Sequence, residues 1–194
     1  MRVNNVRKSG EFKTEATNGS RNIEGFYDYS LWESRKLAGE NSLKDLIREG
    51  VERTSAICVL VGTDTWRRPW VRYEIARSVI DGRGLLAVHI NGLKHHQELQ
   101  SHALGENPCR YLGIAKKSTD GKYYLCERVS ENQDYTWKWY QKHKLSVNVP
   151  AYMPKPTLNN PVRLSDYTQT YDWTQGGHNR IGAWIDAAAQ AVRR

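Results

Sequence analysis

The sequence predicts an α/β fold built on a parallel sheet with helices on both faces. Two apolar runs, Ala56–Val61 and Leu85–Ile90, carry that prediction, because neither alternates in polarity. Strands of this kind are expected to be buried on both faces, as in parallel sheets. Between them Pro69–Ile80 has a helical pattern. Strand, helix and strand with short connections imply a right-handed crossover between parallel neighbours, in a flavodoxin-like arrangement.

Each element has its own signal. In Asn41–Thr54 the apolar residues Leu43, Leu46, Ile47 and Val51 recur at helical spacing. Asn41 or Ser42 is the expected cap, and Gly50 weakens the last turn. Pro69 suits a first helical turn, and Gly82 or Gly84 is the expected stop. Tyr111–Ala115 and Lys122–Leu125 flank Thr119-Asp120-Gly121 and read as a hairpin or as a strand with a polar excursion. Four prolines between Pro150 and Pro161 mark an extended connector. Near the end, Ile181, Trp184, Ile185, Ala188 and Val192 form one stripe, so the last helix is expected to dock. Residues 1–130 are read as the α/β domain and 131–194 as a C-terminal extension on the same domain.

Composition narrows the function. The chain of 194 residues has a net charge of +8, and residues 110–150 carry half of it. No segment is densely polybasic, so a solvated basic face is favoured over a nucleic-acid groove. No apolar run approaches a membrane span, and no secretory leader is evident. Three cysteines, Cys58, Cys109 and Cys126, show no paired or metal-ligand spacing. Reduced thiols and a cytoplasmic protein are expected. His95-His96 are neighbours that point apart on any regular element, and no metal is expected.

In open parallel sheets, ligands sit beyond the carboxyl ends of the strands. That directs attention to the loops after Val61, Ile90 and Asp28. Trp70 and Glu74 are four residues apart on the helix that follows Val61 and share one side of it. A carboxylate beside an aromatic ring can stabilise a developing cation and bind ribose hydroxyls. The alternative is a core tryptophan and an ordinary surface acid. Asp28, Ser30, Thr63 and Asp64 are further candidates for substrate binding. Loop capping is the alternative for Asp28 and Ser30, and turn formation for Asp64. Arg67, Arg68 and Arg72 lie near the same helix start, where solvated arginines or a pyrophosphate contact are both open.

Ala56–Thr63, Trp70-Val71-Arg72-Tyr73-Glu74-Ile75 and Leu85–Asn91, in this order, resemble the TIR (Toll/interleukin receptor) domain. The nearer resemblance is to the bacterial TIR-like family that includes the TIR subunit of Thoeris anti-phage systems. Phe26–Glu33 is similar to the family's segment before its second helix. Tyr171-Asp172-Trp173 with Gly177, Asn179, Gly182 and Trp184 is similar to its C-terminal segment. Met1–Arg7 resembles the region just after the family's first strand, so either the start has been placed late or this form lacks that strand.

The resemblance implies an enzyme that cleaves NAD at the nicotinamide–ribose bond. Glu74 is then the catalytic residue, and Trp70 contacts base or ribose. It also implies an ADP-ribose-derived, cyclised or otherwise modified product made in phage defence. NAD is substrate rather than cofactor. A phage-derived trigger, a downstream effector that senses the product, and self-association complete the implied partners; no membrane or nucleic-acid partner is expected. The rival reading is a non-enzymatic TIR-like scaffold for protein interaction. The two are separated by whether Glu74 faces an open pocket with Trp70 or is buried in a salt bridge.

Overall fold

The computed structural model describes residues 37, 39–94, 100–131 and 134–193. Expectations for Met1–Arg7, for the Phe26–Glu33 segment with Asp28 and Ser30, and for His95-His96 lie outside the described residues. In chain order the elements are α1 (Glu40–Glu52), β1 (Ala56–Val61), α2 (Pro69–Ile80), β2 (Gly84–His89) and β3 (Leu112–Lys116). They continue with β4 (Tyr123–Glu131), β5 (Asp134–Trp139), β6 (Val162–Arg163), β7 (Gln169–Asp172) and α3 (Gly177–Ala191).

Two sheets form among these residues. The first has the order β1-β2-β7 and is wholly parallel. β1 and β2 run side by side, Ala56 opposite Gly84 and Val61 opposite His89, as the apolar runs predict. The second has the order β5-β4-β3-β6 and is antiparallel. The expected hairpin is its β3–β4 pair. The division at residue 130 falls inside β4, and residues 131–194 supply a strand or more to each sheet.

The layers follow from two apolar clusters. One joins Leu43, Ile47 and Val51 of α1 with Tyr73, Ile75, Ala76 and Val79 of α2. It continues through Ile57, Val59, Val61, Leu85 and Ala87 on one face of the parallel sheet, and through Leu112, Ile114 and Leu125 of the second sheet. The other joins Leu86, Val88 and Ile90 to Trp173, Ile181, Trp184 and Ala188. The stack is therefore α3, parallel sheet, α1 with α2, antiparallel sheet. α2 has sheet on two sides, so it buries Tyr73, Ile75, Ala76, Ser78 and Val79 rather than one narrow stripe. Ser78 tolerates burial because its hydroxyl donates to the Ile75 carbonyl at 2.7 Å.

Two sequence expectations change. β2 is covered on both faces as predicted, but β1 alternates: Ile57, Val59 and Val61 are buried, while Ala56, Cys58 and Leu60 are partly open. β1 is an edge of its sheet among the described residues, and on that face it has only the margin of the α3 cluster for cover. The cap of α1 is Gly39, with no side-chain cap bond, rather than Asn41 or Ser42. Pro69 opens α2 as predicted. α3 docks through Ile181, Trp184 and Ala188, and Trp184 stacks on Tyr171 with centroids 4.3 Å apart. The approach is close enough that a Cβ on Gly84 would lie 2.3 Å from the Ala188 carbonyl oxygen. Among the described residues no helix is long and apolar enough to cross a membrane.

Candidate active site at the edge of the parallel sheet

β1 ends at Val61, and a 3₁₀ turn, Thr65–Arg67, leads into α2. Gly62 N–H donates to the Thr65 hydroxyl at 2.8 Å, which fixes this turn against the strand end. Pro69 presets the first helical residue. α2 thus starts at the carboxyl edge and runs back along the sheet, carrying Trp70 on its first turn and Glu74 on its second.

Glu74 is partly buried. Burial pushes its carboxyl up to about 7, with no hydrogen bond or cation among the described residues to offset the cost. It forms no salt bridge with any described residue. Its charge reaches β1: the Cys58 thiol is pushed up to about 12, first by burial and then by the Glu74 carboxylate. The effect on Cys58 puts Glu74 within electrostatic reach of β1. A carboxylate without a countercharge, in a site of low dielectric, has an unneutralised field for a cation that forms nearby.

Trp70 is partly buried against the larger cluster. Its ring meets Tyr73 edge-on at 5.9 Å, and the Lys142 ammonium sits 4.5 Å from its centroid. The structure ties this ring to the turn after β5, a link that sequence spacing does not reveal.

Thr63 lies in a network. Its hydroxyl donates to the Ala103 carbonyl at 3.0 Å and accepts from Asn91 Nδ2 at 3.1 Å. Asn91 Nδ2 also donates to Ala103 at 2.7 Å, and His102 N–H donates to the Asn91 carbonyl. These bonds strap residues 102–106 across the end of β1. Gly105 makes the fit possible, since a Cβ there would stand 2.1 Å from the Gly62 oxygen. Asn91 is 2% exposed, yet its Oδ1 has no partner among the described residues, and neither has Nδ1 of His89 two residues earlier. Asn91 and the strap were missed in the sequence. The only available signal was an Asn-Gly pair directly after the second buried strand.

Asp64 is exposed and makes a turn: Arg67 N–H donates to its carbonyl at 3.2 Å, and the Arg67 guanidinium lies 3.8 Å from its carboxylate. Arg67 stacks over Trp66 at 4.8 Å, and Trp66 stacks on Tyr111 at 5.1 Å. The Tyr111 hydroxyl donates to Glu106 at 2.7 Å, closing the strap's far end. Arg68 is exposed. Arg72 points instead to the second sheet, 3.8 Å from Glu127, and is not placed for a pyrophosphate at the strand ends. The structure thus brings Thr63 into the edge network and leaves Asp64 on the surface.

Comparison with known proteins adds two findings. The model for the Thoeris protein ThsB TIR-like domain matches residues 1–95. A protein of Bacillus cereus (strain MSX-D12), provisionally named cyclic ADP-D-ribose synthase ThsB1, is 34% identical over 192 residues. The match covers 96% of this chain and 92% of that protein.

Proposed function

The chain belongs to the Thoeris ThsB TIR-like family, and on that premise we propose that it is an NAD-cleaving enzyme of the ADP-ribosyl cyclase type acting in anti-phage defence. The observation that carries this reading is Glu74: a desolvated carboxylate with no countercharge among the described residues, on the helix that leaves the carboxyl edge. A scaffold residue in that position would be expected to have a salt bridge.

The reaction breaks the bond between C1′ of ribose and the pyridinium nitrogen. The bonding electrons leave with nicotinamide, which departs neutral, and C1′ becomes an oxocarbenium ion. Glu74 stabilises that cation and needs no proton transfer to do so. A nitrogen of the same molecule's adenine then attacks C1′ and a proton is lost, giving a cyclic product. Attack by water would give ADP-ribose and a proton. Trp70, Thr63 and Asp64, with Asp28 and Ser30, are assigned to holding the substrate. The B. cereus relative's name supports ring closure. The product is read by a nucleotide-sensing effector, and a phage-derived trigger sets the enzyme working.

The test is nicotinamide release from NAD by wild type and Glu74→Gln, assayed side by side in extract of phage-infected cells. A loss on the order of a hundredfold is expected in the mutant. Equal release by both folded proteins would remove Glu74 from catalysis. No release by either would favour the scaffold.

A further inference from the structure

The antiparallel sheet carries a cavity of about 250 Å³ that the proposed reaction does not use. Its lining includes Lys117, Tyr124, Trp139, Gln141, His143 and Lys144. Trp139 and Tyr124 meet edge to face at 6.0 Å, and Trp139 is still 42% exposed, a large area of indole left to water at a cavity wall. Lys117 holds its ammonium 5.1 Å from the Tyr124 ring, and Lys144 is exposed at the rim. The acids near the lining are Asp120, Asp81 and Glu127. Asp120 is engaged by the Tyr124 hydroxyl at 2.6 Å and by Lys122 N–H at 3.0 Å. Asp81 acts on His143 and is paired with Arg77, and Glu127 acts on Tyr140 and lies near Arg72. Gln141 donates through Nε2 to the Trp139 carbonyl, which leaves its amide oxygen to accept. His143 is held below its ordinary value by burial and by Arg77, so it offers a neutral imidazole rather than a charge.

Aromatic walls, two ammonium groups and a free amide acceptor suit one flat heterocycle that bears an anionic group. The volume lies below the roughly 300–1,000 Å³ of pockets for drug-sized ligands, which favours a single nucleotide over a dinucleotide. The geometry points to a mononucleotide site here, with the base against Trp139 and the phosphate between Lys117 and Lys144. It is separate from Glu74 and independent of the reaction proposed for it. The turn that follows Trp139 also reaches α2, since Lys142 covers Trp70.

AMP is the probe, titrated by calorimetry into the full chain at millimolar concentration, with adenosine, inorganic phosphate and a hexameric oligoadenylate as comparisons. AMP should bind more tightly than adenosine or phosphate alone. Trp139→Ala should weaken it roughly tenfold, Trp139→Phe should keep most of it, and Lys117→Ala with Lys144→Ala should reduce AMP to the level of adenosine. Glu74→Gln should bind AMP like wild type even if NAD cleavage proves absent in both. Thermal melts check each variant; if Trp139→Ala melts early, the two lysine variants carry the test. The proposal falls if AMP is silent, whether or not the hexamer binds, if adenosine matches AMP, or if AMP binding depends on Glu74 and not on these side chains.

Discussion

Replacing Glu74 with glutamine should strengthen the fold while removing turnover, and the gain should depend on pH. The native carboxyl is raised by burial from its ordinary 4.5 to about 7. Between those values the folded state holds a proton that the unfolded state has released, so stability falls as pH rises. The contribution is whole below about 4.5 and lost as pH passes upward through about 7. At about 1.36 kcal/mol per pH unit, the full swing is about 3 kcal/mol. Partial burial reduces it, leaving about 2 kcal/mol between pH 5 and 8. Glutamine does not titrate, and any constant cost of its buried amide cancels when the two pH values are compared. For a chain of this size the mutant's advantage in Tm should grow by roughly 4–8 °C from pH 5 to pH 8. Differential scanning fluorimetry of both proteins in matched buffers measures it. A difference between mutant and wild type that is equal at both pH values would refute a desolvated, uncompensated carboxylate. The sequence alone suggests a folding-neutral substitution, because spacing does not show that Glu74 lacks a partner.

Nicotinamide release should rise about tenfold from pH 6 to 8 as Glu74 ionises through about 7; a flat profile would mean that another group carries the charge. Trp184→Ala should cost roughly 3 kcal/mol in urea unfolding, since the ring is 4% exposed and stacked on Tyr171; a change below about 1 kcal/mol would mean a loosely attached helix. Gly105→Ala should lift the strap off β1, costing about 1–3 kcal/mol in unfolding free energy and lowering NAD turnover, whereas wild-type melting and turnover would show that the strap yields freely.

The parallel core was legible because β2 is apolar throughout, α2 opens with Pro69, and α3 repeats its apolar residues at helical spacing. The second sheet was only half legible. β5 is exposed along most of its length, so its side chains carry little burial pattern, and its strand character comes from pairing with β4. β6 has two residues, too few for any periodicity. Glu74 was found through helical spacing and resemblance. The Lys142 contact with Trp70 comes from a distant turn and has no local sequence signal. Likewise Asn91 acquires its place through Ala103, a backbone carbonyl with no sequence signature.

The order of strands in the parallel sheet bears on how the protein is made. β7 pairs with β2 only after the chain has travelled from Ile90 to Thr168 and laid down the whole antiparallel sheet on the way. Closing so long a loop costs entropy before its contacts repay it, and non-local parallel pairing is slow for that reason. On a ribosome, α1, β1, α2 and β2 emerge well before β7. Until it arrives, the outer edge of β2 has no mate, with Leu86 and Val88 uncovered by α3. Docking of the last helix is thus the step that ends the nascent chain's exposure to aggregation.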